Sequence, residues 1–413
     1  MEKADKKGFT KNWWKKLRSQ DFFIFLYKIT FQLVSLLPAR KNVIMFESFL
    51  GRQYSDNPRA IYEYIKENYP HYKMYWSIDP KFKHNFDSKD IVPVKRFSIK
   101  WLFLMATAKY WVTNSRMPLW IPKPAHTTYL QTWHGTPLKK LAADMEEVYM
   151  PGTDTNSYKV EFYLESRNWD YLISPNPYST KIFRRAFQFE KEILEVGYPR
   201  NDVLYKKNNE DAIQKIKEQL NLPQDKKIIL YAPTWRDDQF VEKGKYTFDL
   251  HLDLDQMKHL ATDYCLILRL HYLVGEQLDL SPYKEFVFDF SNYTDIRELY
   301  LISDVLVTDY SSVFFDFANL KRPMIFYTYD IEDYRERLRG FYFDLEKNAP
   351  GSLVKSTEEV IAEIKRLENE NWSLAENYAD FYEKFCALES GHSSQKVVDR
   401  IFLKENSLQK QNV

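Results

Sequence analysis

The sequence predicts an α/β fold in which two Rossmann-like parallel-sheet domains face a cleft, preceded by a basic amphipathic segment. Three observations predict it. Beyond residue 40, short apolar runs alternate with helical patterns, the signature of parallel strands joined by right-handed crossovers. About a dozen such runs occur, above the usual range for one open sheet. A polar helical stretch and the loop Asn221-Leu222-Pro223-Gln224-Asp225 break the alternation near Asp202–Pro223, leaving halves of similar size.

Residues 1–40 form the leader. Lys3, Lys6, Lys7, Lys11, Lys15, Lys16 and Arg18 outnumber Glu2 and Asp5 around Trp13 and Trp14. An apolar stretch from Phe22 to Leu37 follows, interrupted by Lys28 and Gln32 and closed by Pro38. It is short for a spanning helix and carries a charge, and Leu37-Pro38-Ala39-Arg40 is a poor cleavage site for a signal peptide. An in-plane amphipathic helix held by anionic headgroups fits the pattern; an ordinary core helix is the plain alternative.

The first domain, residues 41–205, holds strand-like runs at Asn42–Phe46, Lys73–Trp76, Ile91–Val94, Tyr110–Thr113, Thr128–Thr132, Tyr171–Ile173 and Ile193–Val196. Arg59–Asn68 and Ile99–Ala108 read as helices between them. The second, residues 206–405, opens on a helix at Asp211–Leu220, where Ile213, Ile216 and Leu220 share one face. Strand-like runs follow at Lys227–Tyr231, Cys265–Leu270, Phe286–Phe288, Val305–Val307 and Met324–Tyr327. Residues 406–413 read as a polar tail.

Bulk composition narrows the class. The 413 residues are 44% hydrophobic, ample for buried cores, and the net charge of +1 gives no reason to expect a nucleic-acid partner. The aromatic fraction of 17% fits a protein with amphipathic surface near a lipid interface. Cys265 and Cys386 are the two cysteines, which argues against a disulfide framework and for the cytoplasm. Walker-type, GxGxxG, CxxC and HExxH patterns do not occur, so triphosphate hydrolases, nicotinamide enzymes and zinc hydrolases are not first choices. The adjacent Asp237-Asp238 reads as a solvated loop, and neither metal nor cofactor is expected.

The candidate site residues fall at strand ends, where open α/β sheets bind ligands. Trp133-His134-Gly135-Thr136-Pro137 follows one strand. Glycine there admits a close approach, Thr136 adds a hydroxyl, and the His134 imidazole titrates where it can accept a proton from an alcohol. Arg269-Leu270-His271 ends another, and in extended chain Arg269 and His271 share a side, as suits a diphosphate. Pro233 and Thr234 end the first strand of the second half and expose backbone there. Asp309-Tyr310-Ser311-Ser312 precedes a helical run, where Ser311 and Ser312 offer N–H and hydroxyl donors to an anion, as a helix cap would. Asp316, one turn further, is placed for a ribose or substrate hydroxyl, or for capping. Arg200, in Gly197-Tyr198-Pro199-Arg200-Asn201-Asp202 at the domain junction, is placed to hold a phosphate.

Together these segments resemble the CDP-glycerol:poly(glycerophosphate) glycerophosphotransferase family, the teichoic-acid primases and polymerases with a GT-B-like fold. The resemblance extends to Phe46-Glu47-Ser48, Ser55-Asp56-Asn57-Pro58, the run Ala108 to Arg116, the run Gln131 to Leu141, and Tyr231 to Arg236, and covers roughly residues 43–345. It implies that His134 is the base and His271 a second catalytic candidate, that Arg269 and His271 lie near the donor diphosphate, that Trp133, Gly135, Thr136, Pro137, Leu270, Pro233, Thr234, Ser311, Ser312 and Asp316 border the donor, and that Arg200 reaches phosphate. It also implies a CDP-alditol donor, with glycerol and ribitol both open, and a polyprenyl-diphosphate-linked acceptor of teichoic acid or capsule. Transfer releases CMP at the cytoplasmic face of the membrane, where the leader holds the enzyme peripherally. The lack of a large extra N-terminal domain favours a primase or short-chain transferase. Two other readings compete: a sugar-nucleotide glycosyltransferase on the same fold, and a non-catalytic membrane scaffold that tolerates loss of His134.

Overall fold

The computed structural model describes residues 21–87, 90–148, 153–234, 240–242, 245–246, 250–270, 278–332 and 340–403. Its first sheet is formed by β1 (Arg40–Glu47), β2 (Lys73–Ile78), β3 (Pro93–Lys95), β4 (Ala108–Thr113), β5 (Thr128–Gln131), β6 (Tyr171–Ser174) and β7 (Glu192–Glu195). The spatial order is β3-β2-β1-β4-β5-β6-β7, and every pair is parallel. A second sheet follows from β8 (Lys227–Ala232). After a two-stranded hairpin, β9 (Phe240–Glu242) with β10 (Lys245–Tyr246), come β11 (Tyr264–Leu268), β12 (Val287–Asp289), β13 (Val305–Thr308), β14 (Met324–Tyr327) and β15 (Ser352–Val354). These pair in parallel in the order β12-β11-β8-β13-β14-β15.

Helices cover both faces of each sheet, which is why the strands read as continuous apolar runs. Val43 and Met45 of β1 face one core while Ile44 and Phe46 face another; Ile228 and Leu230 of β8 separate from Ile229 and Tyr231 in the same way. Trp76, Trp101, Trp111 and Trp169 are among the largest fully buried side chains. Much of the aromatic content therefore fills these cores rather than a lipid-facing surface, a correction to the compositional expectation.

The helix at residues 21–34 buries Phe31 against Trp111 and leaves Phe22, Phe23, Phe25 and Leu33 more than half exposed. No helix among the described residues is long and apolar enough to cross a membrane.

The chain passes between the sheets twice. Residues 393–403, expected with the second domain, pack on the first sheet. Val397, Val398, Ile401 and Phe402 join Ile44, Tyr72 and Tyr110 in one core, and both oxygens of the Asp202 carboxylate accept from the backbone N–H groups of Ser393 and Ser394 at 2.8 Å. An apolar face this short is buried wherever a groove is open, and sequence order does not reveal which sheet offers it.

At the same crossing, Glu389 is buried and accepts from Tyr198 N and Asn201 Nδ2. Burial pushes its pKa from the ordinary 4.5 up to about 8. Between those values the folded chain alone holds the proton, so stability declines as pH rises, and above about 8 the full cost of a buried carboxylate is carried. Glu389→Gln is therefore expected to gain melting temperature relative to the native chain as pH is raised from 5 to 9. A native chain that gains on the variant over that range would contradict this assignment.

Candidate active site

Each sheet reverses its strand order beside its first strand, between β1 and β4 in front and between β8 and β13 behind. Ligands of open α/β sheets bind at the carboxyl ends of strands at such a point. Here the two reversal points share one cleft. A cavity of about 670 Å³ is lined by Phe49, Gln53 and Ser115 from the front and by Arg269, Leu270 and Thr294 from behind. Through Phe49, Gln53, Arg269 and Thr294 it meets a smaller one of about 210 Å³ that holds His134, Arg200, Ser312 and Asp316. His134 and Ser312 also line a third, of about 310 Å³, with Trp133, Gly135, Thr136, Pro137, Pro233, Thr234 and Ser311. The cleft thus gathers the expected site residues except His271, which lies outside the described residues, as do Trp235, Arg236, Asp237 and Asp238.

His134 sits on the loop after β5. Trp133 takes a left-handed backbone (φ 55°), rare for a bulky residue. It is held there by Gln131 Oε1, which accepts from Trp133 N, and by Asn57 Nδ2, which donates to the Thr132 and Trp133 carbonyls. That turn sends the Trp133 indole inward among Phe162, Phe183 and Phe187 and the His134 ring outward. Trp133, expected to touch the donor, is 8% exposed and stacks beneath the imidazole at 4.5 Å. Its place is under the ring.

The His134 ring is solvent-accessible yet lies deep in the cleft. Its Nδ1 lies 2.7 Å from the Asn114 carbonyl oxygen. A carbonyl only accepts, so Nδ1 carries the hydrogen and Nε2 keeps the lone pair. Desolvation lowers the pKa from its ordinary value and Arg200 adds to this, while Asp56 and the Asn114 bond oppose it. The net effect favours the neutral ring. Asn114 itself is fixed by Phe49 N donating to its Oδ1 at 2.8 Å. No role was evident for Asn114 from sequence; its position directly after β4, at the front reversal point, was the available signal.

Arg200 and Asp316 do line the cleft, but both terminal nitrogens of Arg200 and both carboxylate oxygens of Asp316 are already engaged, and only the buried Arg200 Nε finds no partner among the described residues. Arg200 Nη1 donates to Asp56 Oδ2 at 3.0 Å and to the His134 carbonyl at 2.8 Å, and Nη2 donates to Asp316 Oδ2 at 2.7 Å. Asp316 Oδ1 accepts from Asn201 Nδ2. A second inter-sheet ion pair lies nearby: Arg59 of the helix Asp56–Asn68 donates to Asp295 Oδ2 at 2.6 Å, and Arg297 donates to both Asp295 oxygens. Asp56, Asn57, Arg59, Asp295 and Arg297 had no assigned role from sequence: the bonds that join Asp56 and Asn57 to Arg200, and Arg59 to Asp295, cross at least 143 positions, and the local Asp295–Arg297 pair gives no sign of its place in the cleft.

Behind the cleft, Asp309 Oδ1 accepts from Thr234 N at 2.7 Å, tying the loop after β8 to the loop after β13. Ser312 precedes a helix of five residues, Val313–Phe317, and its side chain makes no capping bond. Its hydroxyl instead faces Gly135, where an added Cβ would stand 3.2 Å from Ser312 Oγ. The hydrogen bonds of Arg269 Nη1 go to the carbonyls of Phe290 and Ser291 rather than to a carboxylate, and Leu270 N donates to Ser291 Oγ. The hydrogen bonds of Arg269 thus do not offset its charge.

The CDP-Glycerol:Poly(glycerophosphate) glycerophosphotransferase family model matches residues 29–403. The teichoic acid poly(glycerol phosphate) polymerase of Bacillus subtilis strain 168 is 62% identical over 92% of this chain, which spans 51% of that protein. The protein of the same name from Bacillus spizizenii W23 is 58% identical over 93% of this chain and 98% of its own length. Among solved structures, the wall teichoic acid polymerase TagF superposes with a TM-score of 0.86 at 44% identity, covering 97% of this chain and 98% of that one. TagF has also been solved as a histidine variant soaked with CDPG.

Proposed function

Because the chain belongs to the CDP-Glycerol:Poly(glycerophosphate) glycerophosphotransferase family, we propose that it transfers glycerol phosphate from CDP-glycerol to a hydroxyl of a lipid-linked teichoic-acid acceptor, releasing CMP. The observation that carries this reading is the His134 ring, held as the Nδ1–H tautomer in an arginine-lined cleft between the two sheets. Both named relatives are poly(glycerol phosphate) polymerases, which favours glycerol over ribitol as the transferred alditol.

In this reading His134 Nε2 takes the proton of the acceptor hydroxyl. The oxygen forms a bond to the β-phosphorus of CDP-glycerol, and the bond from that phosphorus to the bridging oxygen breaks, so the electron pair leaves with CMP. Arg269 lies where it balances charge spreading over the phosphoryl oxygens, and such electrostatic stabilisation supplies most of the rate gain in phosphoryl transfer. Ser311 and Ser312, with Pro233 and Thr234, border the donor from the rear sheet, and His271 remains a candidate second catalytic residue. His134 returns its proton to solvent before the next turnover.

The acceptor proposed is polyprenyl-diphosphate-linked, and the enzyme is proposed to work peripherally at the cytoplasmic membrane face. The exposed Phe22, Phe23, Phe25 and Leu33 of the helix 21–34 support this seat, since clustered exposed apolar side chains mark interaction surfaces.

The test is a donor panel: CDP-glycerol, CDP-ribitol and UDP-sugars offered to the full chain with a glycerol-phosphate-primed lipid acceptor. CMP released from CDP-glycerol, with the acceptor lengthened, is expected; release confined to UDP would overturn the proposal in favour of a glycosyltransferase. A pH series adds a second check. His134 acts as a base only when neutral, and its pKa lies below the ordinary 6.5. The acid limb of kcat/KM is therefore expected below pH 6.5, and a limb above 7 contradicts the assignment.

A further inference from the structure

We infer that Arg200 is a positioning residue, fixing the His134 loop against the rear sheet, and not a ligand for the donor phosphate. This rests on the reading of His134 as the base. The loop presents four consecutive carbonyls to one network. Thr132 and Trp133 accept from Asn57 Nδ2, His134 accepts from Arg200 Nη1, and Gly135 accepts from the Tyr198 hydroxyl at 2.9 Å. Arg200 joins these parts. Its backbone N donates to Asn57 Oδ1 at 3.1 Å, and its guanidinium stands 4.7 Å from the Tyr198 ring centroid. Through Asp316 Oδ2, at 2.7 Å, the same guanidinium reaches the helix that follows Ser312. The backbone on which the imidazole stands is thereby tied to the sheet proposed to carry the donor.

Charge points the same way. Arg200 is buried between two carboxylates, Asp56 at 3.0 Å and Asp316 at 2.7 Å. A diphosphate placed there would bring more negative charge to a cation already flanked by two anions. Asp56 also holds a left-handed backbone (φ 64°), a strained conformation that the surroundings maintain; Arg200 Nη1 and Asn57 N both donate to its carboxylate.

The test is steady-state transfer from CDP-glycerol by the full-length Arg200→Lys and Asp316→Asn variants, with kcat and KM separated. Lysine keeps the charge but cannot span three acceptors in one plane. Arg200→Lys is expected to lose about 10²-fold in kcat, the scale of a small misplacement of a reacting group, while KM for CDP-glycerol stays within about threefold. The acid limb of the pH profile is expected to stay below pH 6.5, because lysine keeps a positive charge among Asp56, Arg269, Asp295, Arg297 and Asp316, the other charged groups lining the cavity with His134.

Asp316→Asn removes the rear anchor with an isosteric side chain and is expected to give the same split more weakly; it reads the proposal even if Arg200→Lys does not fold. A tenfold or larger rise in KM with kcat retained, in either variant, would overturn the inference and restore Arg200 as a donor ligand. Both constants unchanged would also overturn it. If the native chain itself releases no CMP from CDP-glycerol, the functional proposal fails instead, a separate outcome.

Discussion

Replacing His134 with alanine is expected to lower glycerol phosphate transfer by about 10²–10⁴-fold, the range for loss of a positioned general base, while the fold survives. The two halves of that expectation have separate causes. The ring is solvent-accessible and makes one hydrogen bond, to the Asn114 carbonyl, so its removal opens no cavity in either core. The loop geometry is held by backbone carbonyls and by Trp133, which the substitution leaves in place. Activity should therefore collapse with the melting temperature within about 2 °C of the native value, as expected for a change worth less than about 1 kcal/mol. A variant that keeps activity within a few-fold would favour the non-catalytic scaffold reading.

Asp295→Ala should do the reverse, damaging stability first. Asp295 is 7% exposed and accepts from Arg59 Nη1, Arg297 Nε and Arg297 Nη2 at 2.6–2.7 Å. Burial by itself would raise the carboxyl's pKa, but the Arg297 and Arg59 charges outweigh it and hold the group well below the usual carboxylate range. Alanine leaves the buried Arg297 without its carboxylate, and breaking a buried pair from one side costs about 3–5 kcal/mol. At roughly 2–4 °C per kcal/mol for a unit of this size, the melting temperature should fall by on the order of 10 °C. Since Arg59 belongs to the front sheet's helix and Asp295 to the rear, the loss should also loosen the cleft. Calorimetry checks the first effect; a fall of less than about 2 °C would show that the pair contributes little.

The strands were legible because burial on both faces leaves uninterrupted apolar runs, such as Ile228 to Ala232, that need no partner to be recognised. β9, β10 and β15, each of two or three residues, are the exceptions. β15 is three residues, Ser352-Leu353-Val354, directly after Gly351, too short for any periodicity to register. The run Cys265–Leu270 overshoots its strand, since Arg269 and Leu270 continue the strand-like pattern past the end of β11 at Leu268.

At the site, position was readable and partnership was not. His134 stood out by its place after a strand, but the left-handed turn at Trp133 has no sequence marker, and it turns the indole inward while the imidazole faces the cleft. Arg200 and Asp316 read as ligand-binding groups because each lies at an element's edge. Their bond joins residues 116 positions apart, and nothing local to either announces it. Asn114 and Asp56 lay within the family-like stretches, yet their work, orienting a ring and balancing an arginine, appears only when β1, β4 and β5 are brought side by side.

The most direct test of the account is the distance from residue 134 to the donor in a crystal of His134→Gln soaked with CDP-glycerol. The β-phosphorus should lie within about 6 Å of that side chain, the sum of a near-attack separation and one hydrogen bond, with the diphosphate beside Arg269. A donor seated with its β-phosphorus beyond about twice that distance, or outside the cleft between the two sheets, would contradict it.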